Sequence, residues 1–487
     1  MSSLSEQVAV ILPACAFLLL ILYIAVYRSV IFVGFFLVLF SLVWRTGSTA
    51  FIDLTGPVWS SQTLRYIGPG MATPLHVLAY FVTLAPFLIL FRPGTIRNWS
   101  DTMDARQTPS GVTTLSDVTV TLSLLFLAFL FLDLLRHGPI PLFAHVERFV
   151  YTEQSAGDAH RWLVRYHNLL VFWWGLMFAA ERLRNRRIDF RFLGLLGTLL
   201  IYLFITGNRF SAFYSSCSYF IIPFAAVVAV KSGNDQSGTL FRWIGSLGVR
   251  QVVVAGTAAA FVVGLIAIAI YNNLVNVRGY AGAQVLSQLQ QRILIQPGEL
   301  GWISFERIFT FGRWQPDRVY DFLFQAPLDP ARNTTVQYLM LETIGEPRSS
   351  EHIFAGFQFA GGFPEIFFEL FGPIYAWPFL FGCGYIAAAL LALVIKSTIQ
   401  GRYASAFLAL YVLFGFQVMY IGGMLNFAIA ETYWVKVAAL ALALTLEAGL
   451  AREGLPLVPW AIARLPSRRL VAAYKSIGSR FQSKVTQ

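Results

Sequence analysis

Charge is what this chain has least of. Only 13% of its 487 residues are Asp, Glu, Lys or Arg, against 57% hydrophobic and 16% aromatic. With a mean hydropathy of +0.63, there is more apolar side chain than a soluble core can cover, so a soluble globular fold is excluded and a polytopic membrane protein is expected. Cysteine is scarce too. Cys15, Cys217 and Cys383 each lie inside an apolar run, without the paired spacing of a metal site or a disulfide framework. No GxxxxGKS/T or GxGxxG follows a plausible strand, no HExxH occurs, and the histidines lack a regular ligand spacing. Nucleotide use of the soluble type, zinc hydrolysis and a bound metal or cofactor are therefore not expected. The net charge of +11 does not point to nucleic acid, because the basic residues fall in short connections between apolar runs and in the C-terminal tail. That is the positive-inside pattern of an integral membrane protein.

What is present is a series of apolar runs close to the roughly 20 residues that cross a bilayer core of about 30 Å. They are read at 8–27, 30–44, 72–91, 118–135, 163–180, 192–206, 211–230 and 252–271, then at 373–395, 403–424 and 433–449. The fold class expected is all-α, with about eleven transmembrane helices. An acid, Glu6, precedes the first run and Arg28 follows it, the reverse of a cleavable leader, so that run is read as retained with the N-terminus outside. Arg182, Arg184, Arg186, Arg187 and Arg191 mark a cytoplasmic connection and fix the orientation of the rest. The organisation read from this is an N-terminal bundle over 1–271 with about eight spans, a large outer loop over 272–372, about three spans over 373–450, and a basic cytoplasmic tail over 451–487. The tail reads either as an amphipathic element on anionic lipid or as a simple topology marker.

Several polar residues stand where polarity is costly. Between 272 and 372 the basic residues are all arginine, among them Arg278, Arg292, Arg307 and Arg348. The planar guanidinium fork matches phosphate oxygens in pairs, which suits a diphosphate ligand, although the whole chain favours arginine over lysine. In HRWLVRYHN, His160 and His167 share one helix face, while Arg161, Arg165 and Asn168 share an adjacent one. They either enter a cavity from the top of a span or anchor it at the interface beside Trp162, Trp173 and Trp174. Arg209, in a tight GNRF turn, needs an anionic partner unless it snorkels to the surface. Glu365 and Glu369 are four apart on a short helix opened by Pro364, whose phenylalanines are expected at the membrane surface. Close to lipid the two carboxylates disfavour double ionisation, so one is a candidate proton acceptor; pairing with loop arginines is the alternative. Turns are read at Gln296-Pro297-Gly298 and across 45–70, and helical pieces at 284–295 and 336–344.

Taken together, TGNRF (206–210), a long outer loop entered through Arg278, QRILIQPGELGW (291–302) and GFQFAGGFPEIFFELFGPIYAWPFLFG (356–382) resemble the bacterial oligosaccharide repeat-unit polymerases. These are the O-antigen polymerases of the Wzy type, related in architecture to the O-antigen ligases, and the similarity covers about the last three fifths of the chain. The resemblance implies a glycosyltransferase C-like membrane fold in the bacterial inner membrane, with its site facing the periplasm. The implied reaction moves a growing glycan from undecaprenyl diphosphate to a new lipid-linked repeat unit, and a chain-length regulator is an implied partner. Carried onto this sequence, Arg209 and Arg278 would bind the donor diphosphate with Arg292 assisting, and His352 or Glu365 would be the base. The chain departs from the ligase pattern in lacking a single histidine beside a conspicuous basic motif. The competing readings are a ligase acting on a lipid core, a flippase for the same lipid-linked sugar, and an assembly subunit.

Overall fold

The computed structural model describes residues 4–104, 112–146, 148–184, 188–208, 210–234, 280–317 and 361–452, with short stretches at 264, 267–268, 271, 274–275, 340–341, 343–345 and 347–354. The chain is mostly helical. Among the described residues, six helices are long and apolar enough to cross a membrane, or seven if one bent pair counts as a single span. The expected run at 252–271 falls almost entirely outside the described residues, as do the tail beyond 452 and most of the expected piece at 336–344.

Helices α1 (Leu4–Tyr27) and α2 (Ser29–Thr55) show how position follows composition. Only 17% of the α1 window is buried, so its apolar residues face outward as lipid-contacting side chains do, whereas 61% of the α2 window is buried and α2 runs through the middle of the bundle. The segment expected to turn from residue 45 onward is instead the last third of α2. Its polar residues are there because another element packs on them: Ser48 Oγ donates to the Leu294 carbonyl at 2.8 Å and accepts from the Gly298 amide at 2.8 Å. A helix face made of Ser, Thr and Gly reads as a turn until the surface that satisfies it is known. Beyond α2 a two-stranded antiparallel hairpin, Val58–Ser60 with Arg65–Ile67, leads to α3 (Ala72–Leu90). Asp53 caps α3, accepting from the Thr73 amide at 2.8 Å and the Thr73 hydroxyl at 2.7 Å.

The chain continues through α4 (Pro93–Asp104) and α5 (Val112–Arg136) to α6 (Asp158–Arg184) and α7 (Phe190–Ile205). Gly207, with φ +75°, closes the turn after α7, and α8 (Phe210–Ile221) and α9 (Phe224–Asn234) follow. These two form the pair bent by 40°, at a break that contains Pro223.

The described part of the large loop lies against the bundle. It comprises α10 (Ala283–Gln290), a wide turn over Gln291–Ile295, α11 (Gln296–Phe305) and a second wide turn over Glu306–Thr310. The Gln296-Pro297-Gly298 turn is therefore a helix start, in which Pro297 takes a first-turn position where its missing amide costs nothing. Trp44 ties the wide turn down through a 2.8 Å bond from Nε1 to the Ile293 carbonyl.

Helix α12 (Glu365–Gln400) is interrupted at Gly372 (φ 74°, ψ 173°), just before Pro373, so 365–371 form a separate short leg. Phe363, Phe367 and Phe368 on and beside that leg are buried. They pack inward, Phe368 against Phe309 and Trp377 with ring centroids 5.3 Å and 5.4 Å away, where the sequence placed them at a membrane surface. Helices α13 (Tyr403–Gly422) and α14 (Glu431–Arg452) complete the described chain, with the Glu447 carboxylate capping α13 at the Ser405 and Ala404 amides.

Candidate functional site

A cavity of about 590 Å³ opens between α2, α6, α8 and α13, within the size range of sites for drug-sized ligands. Its wall is apolar and aromatic, with Leu37, Phe40 and Trp44 from α2, Tyr214 and Tyr219 from α8, and Phe414 from α13. The α2 residues are spaced three, four and seven apart, which places them on one face of that helix. Its polar part gathers side chains that are remote in sequence: Arg148, His167, Asn168, Asn208, Arg292 and Gln296. Arg45 completes the set, and among the described lining residues none is acidic. A cavity bordered by three arginines, with no carboxylate among the described lining residues, favours an anion, and the apolar wall favours one that carries a hydrocarbon or sugar face.

Local structure explains how the cations arrive there. Arg292 sits on the wide turn that Trp44 and Ser48 hold against α2. Arg148 stands three residues before another wide turn, Tyr151–Ser155, whose Thr152 hydroxyl donates to the Arg148 carbonyl at 2.7 Å. Such π-type turns recur at functional sites because they re-aim a side chain without ending the helix. Asn208 follows the positive-φ glycine after α7 and donates to Thr206 Oγ1 at 3.2 Å.

Arg45 belongs to two places at once. It is buried, and its Nη1 donates to the carbonyl of Phe363 at 2.6 Å and of Tyr420 at 3.4 Å, while Nη2 donates to the carbonyl of Ile421. It thus joins the C-terminal end of α13, whose carbonyls are unpaired within the helix, to the entry of the Glu365 leg. Behind it Glu365 Oε1 stands 3.9 Å from His76 Nε2, both residues buried. Gly301 of α11 leaves room for this contact: a Cβ there would lie 2.5 Å from Glu365 Oε1 and 2.7 Å from His76 Cε1. Glu365 thus stands behind the cavity wall rather than among its lining residues.

The residues singled out in the sequence separate into groups. Arg292 and His167 meet in the cavity, with Asn168 beside them. His160 is buried elsewhere, between the Tyr202 hydroxyl at 2.9 Å and Thr152 Oγ1 at 3.3 Å. Arg161 points outward to Asp158 and to the carbonyls of Thr152 and Glu153, and Arg165 lies over the Tyr166 ring, 5.4 Å from its centroid. Glu369 is buried and paired with Arg307, the arginine pairing that the sequence left open. Arg209 and Arg278 lie outside the described residues, although Asn208, the neighbour of Arg209, lines the cavity. His352 falls on the helix Arg348–Phe354, and its side chain is outside the described set. Sequence reasoning missed Arg45, and it passed over Arg148 although a basic residue in an aromatic connection was a usable signal.

A further buried acid lies under the loop. Glu299 of α11 accepts from Ser60 Oγ at 2.7 Å, and burial pushes its carboxyl up from 4.5 to about 8, against a smaller downward effect of that hydrogen bond. Between those values the unfolded chain has released the proton that the folded chain keeps, so stability falls as pH rises through the interval and levels off above about 8. Glu299→Gln keeps the hydrogen bond without the ionisation. Thermal midpoints measured between about pH 5 and 9 should therefore decline less steeply in this variant than in the wild type; parallel curves would remove Glu299 as the source.

Residues 329–435 match a family of unknown function (DUF6418). That stretch covers the Glu365 leg, the rest of α12, all of α13 and the start of α14, and with them the cavity residues Gly361, Phe414, Val418, Ile421, Gly422 and Met424. No curated protein and no solved structure matches the chain, so the similarity is to that family, over that part of the sequence.

Proposed function

We propose that this chain is a multi-span glycosyltransferase that polymerises undecaprenyl-diphosphate-linked oligosaccharide repeat units at the periplasmic face of the bacterial inner membrane. The observation that carries this reading is the cavity lined by Arg45, Arg148 and Arg292, with no acid among the described lining residues and with an apolar, aromatic wall. A polyprenyl diphosphate sugar has the matching parts: a strongly anionic centre, an isoprenoid chain and a sugar ring. Guanidinium donors aimed at the oxygens where charge accumulates as the glycan leaves would stabilise that departure, a role metal ions fill in other transferases. In this reading about eleven spans form a glycosyltransferase C-like bundle, the loop caps the site, and Arg209 and Arg278 add to the diphosphate contacts.

The test is cellular. A strain lacking this chain should accumulate single repeat units on their lipid carrier outside the inner membrane and make no long surface polymer. Units trapped on the cytoplasmic side would identify a flippase instead, and full-length polymer still on its carrier would identify a ligase. Purified protein should elongate extracted lipid-linked units in excess chelator; strict dependence on a divalent ion would overturn the arginine-based mechanism.

A further inference from the structure

We infer that His167 is the general base that takes the proton from the acceptor sugar hydroxyl, an inference that rests on the proposed transfer reaction. The sequence pointed for this role to His352 and to the Glu365–Glu369 pair. In the structure Glu365 is behind the wall and Glu369 is paired with Arg307. His167 is in the cavity itself, on a face of α6 that also presents Val164 and Asn168 to it, the one-turn spacing of residues that look the same way.

The tautomer follows from one hydrogen bond. His167 Nδ1 lies 3.1 Å from the Val164 carbonyl oxygen. A carbonyl can only accept, so Nδ1 carries the proton, and in the neutral ring Nε2 carries the lone pair. Nε2 is buried and has no hydrogen-bond partner among the described residues, and the same is true of Asn168 Oδ1 beside it. Buried polar atoms are nearly always paired, and an exception calls for a specific explanation, of which a catalytic role is one. An oriented imidazole with an unclaimed lone pair, on a residue that lines the same cavity as three arginines suited to a leaving diphosphate, brings both halves of the chemistry to one place.

The step balances without a further reactant. As the acceptor oxygen bonds to the anomeric carbon of the donor, its proton passes to Nε2. The bond from that carbon to the diphosphate oxygen breaks, its electron pair leaves with the diphosphate, and the imidazolium then gives its proton to the departing diphosphate or to water. Among the described residues, the charged groups lining the same cavity are Arg45 from α2, Arg148, and Arg292 from the loop, and those of α8 and α13 add no charge there.

The experiment uses the full-length protein in nanodiscs. Lipid-linked repeat units extracted from cells that lack the chain are the substrate, and farnesyl diphosphate is a binding probe for the cavity. His167→Gln should bind farnesyl diphosphate within about threefold of the wild type while turnover falls by about 100-fold or more, the usual loss on removing a general base. It should also lose the acidic limb of the pH–rate profile. A histidine that only shaped the wall would weaken the probe and leave the shape of that profile unchanged. Turnover within about threefold of the wild type, or a surviving acidic limb, would overturn the assignment. His167→Asn serves as a second variant should the Gln protein fail to bind the probe. Wild-type protein that is inert on the extracted lipid would sink the transferase reading and the base with it, whereas an active wild type with an equally active His167→Gln sinks the base alone.

Discussion

Arg45→Ala should destabilise the folded protein by about 3–5 kcal/mol, the usual cost of removing one partner from a buried charged network. The residue is 4% exposed and donates to three backbone carbonyls, those of Phe363, Tyr420 and Ile421. Truncation leaves the three carbonyls without this donor, together with a Glu365 carboxyl deprived of its electrostatic interaction with Arg45. Because those carbonyls belong to the end of α13 and to the chain entering the Glu365 leg, the damage should concentrate there. Limited proteolysis between 361 and 372 should become fast in the variant before the whole protein unfolds. Arg45→Lys should recover only part of the loss, since an ammonium cannot span three acceptors as the guanidinium fork does. Combining Arg45→Ala with Glu365→Gln should cost less than Arg45→Ala alone if the charge left behind is the dominant penalty. A thermal midpoint for Arg45→Ala equal to that of the wild type would show that the contact bears no load.

Arg45 also marks the limit of what the sequence disclosed. Its partners are main-chain carbonyls 318 and 376 residues away, and a backbone oxygen has no letter in the sequence by which to be found. The short leg ahead of α12 was legible, because proline at its start and Gly372-Pro373 at its end leave few other conformations. The extension of α2 was not. Ser48 and Asp53 signal a loop when counted as turn formers, and only the docking of α11 on the first and of α3 on the second converts each into a satisfied buried group. His160 and His167 illustrate a third case. Helical period assigns them to one face, yet two turns of α6 separate them by about 10 Å, enough to give one a tyrosine and the other the cavity.

Farnesyl diphosphate affinity should fall by about 100-fold or more in the double variant Arg148→Gln/Arg292→Gln. Hydrogen bonds to charged groups contribute about 1.5–3 kcal/mol each, so two lost guanidinium contacts amount to about 3–6 kcal/mol if they act independently. The two arginines reach the cavity from different parts of the chain, Arg148 ahead of α6 and Arg292 from the loop. The single variants should therefore each retain measurable binding, and their sum should fall short of the double if one arginine compensates for the other. Lysine at both positions keeps the charge and should restore part of the affinity, with a steeper dependence on ionic strength than the wild type, because a point charge lacks the paired geometry of the fork. Arg65→Gln, in the hairpin and paired with Glu306, supplies the control for a general loss of positive charge. The arms separate a diphosphate site from a merely basic surface: selective loss in the cavity variants supports the former. Equal losses in the Arg65 control, or undiminished binding in the double variant, would place the anion elsewhere and leave the cavity without its proposed occupant.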